Sequence, residues 1–378
     1  MSGVRHRFFR KKQAVAGLMI IAFFFFLAVF APFIAGNRPL VFDDGEGIRY
    51  PVFQAFTAED ILWLGGFGTA FFTWALAVFL RRRRSPSRKV KIFFAALLSI
   101  VVLVVGINWP ERLDRSDYRP YRDGAMEAKT CVMPPVPWSP YELVLKDRIQ
   151  PPGAVHWLGT DGNGRDVLSR LIHGARVSML VGFAAVGIYV LIGLGVGALA
   201  GYFGGWVDLA LSRFMEAVIC FPSLFAILAV LCFLPPSVLW VMLLIGLLRW
   251  PGVARLVRGE FLRLKSEDFV TAGRAMGLSD ARMIFRHFLP NALGPVLVAA
   301  TFGIAGAILL ESGLSFLGFG VQPPTPSWGE MLSSGKSFLD RAWGLTVFPG
   351  LAIFLAVTAF NLVGEGLRDA LDPRLRKR

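Results

Sequence analysis

The strongest constraint on this chain is the recurrence of apolar runs long enough to cross a bilayer. A helix needs about 20 such residues to span the hydrocarbon. The runs are Ala14–Ala35, Ile61–Leu80, Ile92–Ile107, Val177–Tyr202, Val218–Leu234, Ser237–Trp250, Leu293–Leu310 and Leu345–Leu362. They predict an all-α integral membrane protein of about eight spans. Ser237–Trp250 is short, and reaches across only if it starts at Pro235-Pro236 or lies buried among other helices. Of 378 residues, 55% are hydrophobic and 17% charged. Soluble domains carry about 25% charged residues, so a soluble reading is excluded.

The formal net charge is +14. On a soluble protein that would point to nucleic acid. Here the basic residues fall between the spans, so no nucleic acid partner is expected and the lipid bilayer is the first partner. With the amino end inside, Arg5, Arg7, Arg10, Lys11 and Lys12 share one side of the membrane with Arg81-Arg82-Arg83-Arg84, Arg88, Lys89 and Lys91. Arg255, Arg258, Arg263 and Lys265 join them, as do Arg368, Arg374, Arg376, Lys377 and Arg378. This obeys the positive-inside rule and makes both termini cytosolic. The loop Tyr202–Glu216 is the weak case, because Asp208 and Glu216 offset Arg213. The first run is too long for a signal core and has no Ala-x-Ala-like site before Pro32, so it reads as a retained anchor.

Two segments then lie outside. Asn108–Arg176 carries Pro134, Pro135, Pro137, Pro140, Pro151 and Pro152, and is expected to be irregular. Glu311–Trp343 contains Gln322-Pro323-Pro324-Thr325-Pro326-Ser327-Trp328-Gly329, which cannot continue a helix. Cys131, Cys220 and Cys232 form no disulfide framework, and the last two read as small packing residues.

One cytosolic segment departs from the apolar pattern. Ser266 is placed to cap a helix whose first turn holds Glu267 and Asp268, where the dipole favours negative charge. Phe269, Ala272, Gly273 and Met276 fall on one face, small in its middle. Gly277 suits the left-handed position that closes a helix. Ser279 opens a second short helix, with Met283, Ile284 and His287 on one side, until Pro290 stops it. A helix resting on lipid headgroups would show bulky anchors at the centre of its face. Small residues there fit the close approach of a partner.

The small residues before Gly277 and the spacing from Gly277 to Pro290 resemble the EAA loop of binding-protein-dependent ABC importer permeases. Three further stretches are similar to the dipeptide/oligopeptide/nickel class. They are His156-Trp157-Leu158-Gly159-Thr160-Asp161-Gly162-Asn163-Gly164-Arg165-Asp166, Glu311-Ser312-Gly313-Leu314-Ser315-Phe316-Leu317-Gly318-Phe319-Gly320, and Asn361-Leu362-Val363-Gly364-Glu365-Gly366-Leu367-Arg368-Asp369-Ala370-Leu371-Asp372-Pro373. Ala35-Gly36-Asn37-Arg38-Pro39-Leu40 and Tyr50-Pro51 faintly resemble the oligopeptide and microcin C-type permeases.

The resemblance implies a six-helix permease core with an inserted transmembrane hairpin, in the bacterial inner membrane. Its segments are an N-terminal anchor with the start of an external stretch (1–60), the hairpin (61–107), a periplasmic loop (108–176), the core (177–373) with its coupling loop at 251–291, and a basic tail (374–378). It also implies a heterodimer with a second permease, two cytosolic ATPase subunits that bind ATP and Mg²⁺, and an external solute-binding protein. The ATPase-coupling residues carried over are Thr271, Ala272, Gly273, Gly277 and Pro290. The periplasmic motif is Gly159, Thr160, Asp161, Gly164, Arg165 and Asp166. Peptides are the expected cargo, ahead of nickel or another small solute. Thr271 replaces the family's acidic residue. Gly273 replaces its second alanine, at a helix-propensity cost of about 1 kcal/mol.

No residue is assigned to catalysis, cofactor or metal, and the chain is not expected to be an enzyme. Gly335-Lys336-Ser337 resembles the end of a phosphate loop, but Glu330 stands where the first glycine is required. Asp161-x-Asn163-x-Arg165 puts Arg at a calcium-ligand position and Asp166 where the loop needs glycine. His6, His156, His173 and His287 are scattered. Arg249, Glu311 and Glu365 lie near span ends and are candidates for contact with substrate. The competing class is a self-contained polytopic membrane protein, either a secondary carrier, which calls for ionisable residues at mid-span and internal pseudo-symmetry, or an intramembrane enzyme, which calls for a paired nucleophile and base.

Overall fold

The computed structural model describes residues 2–45, 47–54, 56–57, 59–66, 69, 117–126 and 128–372. The chain forms two compact units, one of Met1–Phe24 with Val177–Arg378 and one of Phe25–Arg176. In chain order the principal helices are α1 (Ser2–Arg10), α2 (Lys12–Ile34), α3 (Val167–Phe203), α4 (Gly205–Cys220), α5 (Ser223–Leu231), α6 (Val238–Leu264), α7 (Asp268–Ala275), α8 (Asp280–Met283), α9 (Leu289–Phe316), α10 (Trp328–Gly335) and α11 (Gly344–Leu371). Among the described residues, five helices are long and apolar enough to cross a membrane, and the bent pair α4–α5 makes up to six.

The expected runs at Ala14–Ala35, Leu293–Leu310 and Leu345–Leu362 correspond to α2, α9 and α11. The hairpin expected over 61–107 lies outside the described residues, save for 61–66 and 69. Four expectations need correction. The run Val218–Leu234 is not one continuous helix: it breaks at Phe221-Pro222, where α4 and α5 meet at 73°. Pro222 has no N–H, and the residue before a proline is pushed out of the helical region; Phe221 is extended, at φ −87° and ψ 121°. The short run Ser237–Trp250 is the start of α6, which continues to Leu264. Its Ser237 hydroxyl caps the helix by accepting from the Leu239 amide at 3.2 Å. The helix expected from Val177 begins at Val167. Cys220 and Cys232, expected as packing residues, are exposed on the lone chain.

Within the larger unit, α3 meets α6 along Gly193, Gly197 and Gly201. A Cβ at Gly193 would sit 2.6 Å from the Val253 Cβ, and one at Gly201 2.6 Å from that of Phe261. At Gly197 it would strike the Ala254 carbonyl. In lipid the helices gain little from hydrophobic burial against each other, so close backbone approach supplies the packing. The first part of α2 joins α11 in the same way, with Gly17 against Ala359 and Gly366 against Ala14. Lys11 pairs with Asp369 beside this contact.

Glu311, expected near the end of a span, is completely buried within α9. One of its oxygens accepts from Ser315 Oγ at 2.7 Å and from Ser327 Oγ at 3.0 Å. Ser327 Oγ also accepts from the Glu330 amide at 3.0 Å and so caps α10. A single carboxyl thus ties the proline-rich string to α9. Hydroxyl donors offset the cost of burying it.

In the smaller unit, the segment expected to be irregular contributes a strand. β1 (Val41–Asp43), β2 (Ile48–Arg49) and β3 (Thr130–Val132) form an antiparallel three-stranded sheet in the order β2-β1-β3, with Phe42 opposite both Arg49 and Cys131. Ala31, Ala35, Val136, Trp138 and Ile172 make its apolar core. Arg176 is buried with Asp60 as its partner.

Replacing Gly197 with Val should wedge α3 from α6 at a cost of about 1–3 kcal/mol, typical of overpacking. Thermal unfolding of the purified protein checks this. Gly195→Ala, which meets nothing within 4 Å, should not lower the midpoint.

Candidate functional site

The polar segment after α6 folds as expected in part. α7 closes at Gly277, whose φ is +71°. The Leu278 amide donates to the Gly273 carbonyl at 3.1 Å and the Gly277 amide to the Arg274 carbonyl at 2.9 Å. These two bonds make a Schellman close, which needs a left-handed residue at its centre. Ser279 precedes α8 as expected, although its side chain makes no capping bond.

Two local expectations were wrong. Ser266 does not cap α7. Its hydroxyl donates back to the Arg263 carbonyl at 2.8 Å, and Glu267 holds the cap position. Pro290 does not stop the second helix either. α8 passes through a π-helical turn, Ile284–Phe288, into α9, where Pro290 lies in the first turn. There a missing N–H costs least, and the wider turn before it absorbs the ring. The Asn291 side-chain amide donates to the His287 carbonyl at 2.7 Å at this junction.

The coupling residues divide into two groups. Thr271, Ala272, Gly277 and Pro290 are exposed. Gly273, expected on the outward face beside Ala272, is buried. A Cβ there would lie 2.9 Å from Met283 Sδ and 3.4 Å from Leu278 Cδ1. Its small size therefore serves the packing of α7 on α8. The outward face is Thr271 and Ala272, continued by Met276, which is 72% exposed.

An aromatic cluster fixes this segment to the ends of the spans. Phe288 is fully buried, with ring centroids 5.1 Å from Phe261 on α6 and 5.4 Å from Tyr202 on α3. Phe269 on α7 adds an edge at 6.4 Å. The Tyr202 hydroxyl donates to Asp280 Oδ1 at 2.6 Å, holding the start of α8. Arg258 Nη2 donates to Asp208 Oδ2 at 2.7 Å and ties α6 to α4. Sequence reading missed Tyr202, Phe261 and Phe288 as a unit. The one available signal was aromatic residues at the polar ends of apolar runs. Just beyond the spans, burial pushes Lys265 down from its ordinary value, and the charge of Arg274 adds to the shift.

The motif 159–166 forms a separate closed turn in the smaller unit. Asp161 Oδ1 accepts from the Asn163 and Arg165 amides at 2.8 and 3.0 Å, and Oδ2 accepts from Arg165 Nε at 2.7 Å. Gly159 and Gly164 have φ of +80° and +75°. A Cβ on either would collide with the Gln150 or Val144 carbonyl. Thr160 Oγ1 accepts from the Gln150 amide at 2.8 Å. Asp166 Oδ1 accepts from the Ser169 amide at 2.7 Å, capping α3, while Oδ2 bonds to His156 Nδ1 at 2.9 Å. Burial pushes the Asp166 carboxyl up, against the pull of these bonds. The acidic oxygens are thus spent on the turn itself. Among the described residues, no group of three or more His, Cys, Asp or Glu is placed to hold a metal. Gly335, which begins the phosphate-loop-like string, ends a helix packed on Leu345, and Lys336-Ser337 continue as a 3₁₀ turn.

With this architecture in view, residues 193–377 match the family described as the binding-protein-dependent transport system inner membrane component. Residues 1–49 match the N-terminal membrane domain of oligopeptide transport permease C. A dipeptide transport system permease protein, DppC of Alkalihalophilus pseudofirmus, is 43% identical over 230 residues, covering 61% of this chain and 76% of the relative. The oligopeptide transport permease OppC of Haemophilus influenzae is 42% identical over 221 residues, covering 58% and 71%. A solved MetNI methionine ABC transporter matches 54% of this chain and 97% of the matched chain, at 17% identity and a TM-score of 0.45. The chain belongs to the binding-protein-dependent inner membrane permeases. It falls in their dipeptide and oligopeptide class, and is a multi-pass membrane subunit of a transporter.

Gly273→Leu should lift α7 off Met283 and lower the unfolding midpoint, at an overpacking cost of about 1–3 kcal/mol. Adding Met283→Ala makes room and should recover most of the loss in the same thermal measurement. Full stability of the single variant would refute the packing role given to Gly273.

Proposed function

We propose that this chain forms part of the translocation path of an ATP-driven importer for peptides or related small solutes. The path is shared with a second permease. Two cytosolic ATPase subunits bind ATP and Mg²⁺, and an external binding protein delivers the cargo. The chain sits in the bacterial inner membrane with both termini cytosolic, as its basic clusters favour.

The observation that carries this reading is the build of α7. It is a short polar helix with Thr271 and Ala272 turned outward, braced through Phe269, Phe288, Tyr202 and Asp280 against three spans. A partner seated on Ala272 can approach closely and push on a rigidly tied element. Closure of the ATPase pair would carry α7 with it, and the bracing would tilt α3, α6 and α9. Such a drive needs different contacts in the two states of the path. The dipeptide and oligopeptide names of the relatives support peptide cargo.

Ala272→Trp adds bulk to an exposed position and leaves the internal packing of α7 intact. It should abolish uptake and reduce co-purification of ATPase subunits, while the chain remains in the membrane. Gly277→Pro, which cannot adopt a positive φ, should do the same. Unchanged uptake and unchanged ATPase association in both variants would defeat the coupling role.

A further inference from the structure

Arg249 is a cation in the wrong place for a lipid-facing helix. It lies about 16 Å along α6 from Val238, at 1.5 Å per residue. Its guanidinium rests on α9, where a Cβ at Gly306 would be 3.1 Å from Nη1. Gly306 is in turn about 15 Å short of the end of α9 at Phe316. Both distances put the guanidinium near the middle of a hydrocarbon layer about 30 Å thick.

The neighbourhood is built from three helices. One turn from Gly306, Gly303 is covered by the hydroxyl of Tyr189, which is 5% exposed and comes from α3. Two glycines on α9 thus make a notch that receives a phenol and a guanidinium side by side. Three arginines of these spans and their flanks have acids: Arg213 has Glu216, Arg258 has Asp208 and Arg263 has Glu260. Arg249 is exposed, and no carboxylate among the described residues pairs with it. An intramembrane arginine without a partner is costly, and such residues face a water-filled cavity or a counter-ion. The notch positions the guanidinium, and its donor fork has no acid partner among the described residues. That fork matches a carboxylate in geometry and charge.

We propose that Arg249 is a carboxylate-binding residue of the translocation path, taking a carboxylate of the cargo in transit. The proposal rests on the importer reading above and deepens it. A peptide with a free carboxyl end is the simplest such cargo. It would pass the guanidinium while screened from lipid.

The test uses the intact transporter reconstituted in vesicles with its binding protein. Trialanine and trialanine amide are compared for the native chain, Arg249→Gln and Arg249→Lys. Losing a charged hydrogen bond should cut the trialanine-to-amide uptake ratio about tenfold in R249Q. R249K, which keeps the charge and loses the fork, should retain only part of the ratio. An unchanged ratio in R249Q overturns the proposal, including the case where both uptakes fall equally because the arginine serves an acid on the second permease. A second arm needs no cargo. In a chain with Cys131, Cys220 and Cys232 replaced by Ser, Arg249→Cys should react with the anionic, lipid-insoluble sulfonatoethyl methanethiosulfonate. Absence of reaction overturns the proposal as well. If the native transporter moves neither peptide, the peptide reading fails, and the thiol reaction still decides the placement of Arg249.

Discussion

The tie between the polar segment and the spans depends on one contact, the burial of Phe288 between Tyr202 and Phe261. Phe288 sits at the last position of a π-helical turn, where the polar segment becomes a membrane helix. Its two partners come from the ends of α3 and α6. Aromatic pairs of this kind contribute about 0.5–1.5 kcal/mol each beyond simple burial. The Tyr202–Asp280 hydrogen bond adds direction to that packing. Without this joint, α7 would be a loop helix on a flexible tether, and no displacement of it would reach the spans. With it, α3, α6, α7 and α9 meet at one point.

Above the joint, the helices are held by what lipid allows. Glycines along α3 bring its backbone onto α6, and Gly17 and Gly366 do the same between α2 and α11. Polar groups inside this packing find partners in hydroxyls, as Glu311 does in Ser315 and Ser327. Arg249 breaks that pattern. It shares the glycine-notched surface of α9 with Tyr189, and no carboxylate among the described residues pairs with it. The structure thus separates packing glycines, which fix helices, from a notch that presents a charge.

Much of this was legible in the sequence. Length and hydropathy were enough for α2, α9 and α11, because a run long enough to span lipid has few other options. Gly277 was legible because glycine takes the left-handed close at the least steric cost. The failures have physical causes. The run Val218–Leu234 is apolar throughout, so hydropathy joined two helices across Phe221-Pro222. The proline was in plain view, but composition outweighed it. Pro290 was read as a stop because a proline usually ends a helix, and no sequence pattern announces a π turn that accommodates one. Helical periodicity put Gly273 beside Ala272 on one face. It could not say where that face divides between Met283 and open space, since this depends on how α8 folds back. The joint at Phe288 joins residues from distant parts of the chain, and pairing across such separations leaves no local signal.

A photoreactive side chain at Ala272 tests the central claim most directly. In the assembled transporter, the account predicts a covalent adduct with a nucleotide-hydrolysing subunit, with a yield that changes when ATP is added. Adducts only with lipid, or with a protein on the outer side of the membrane, would contradict it.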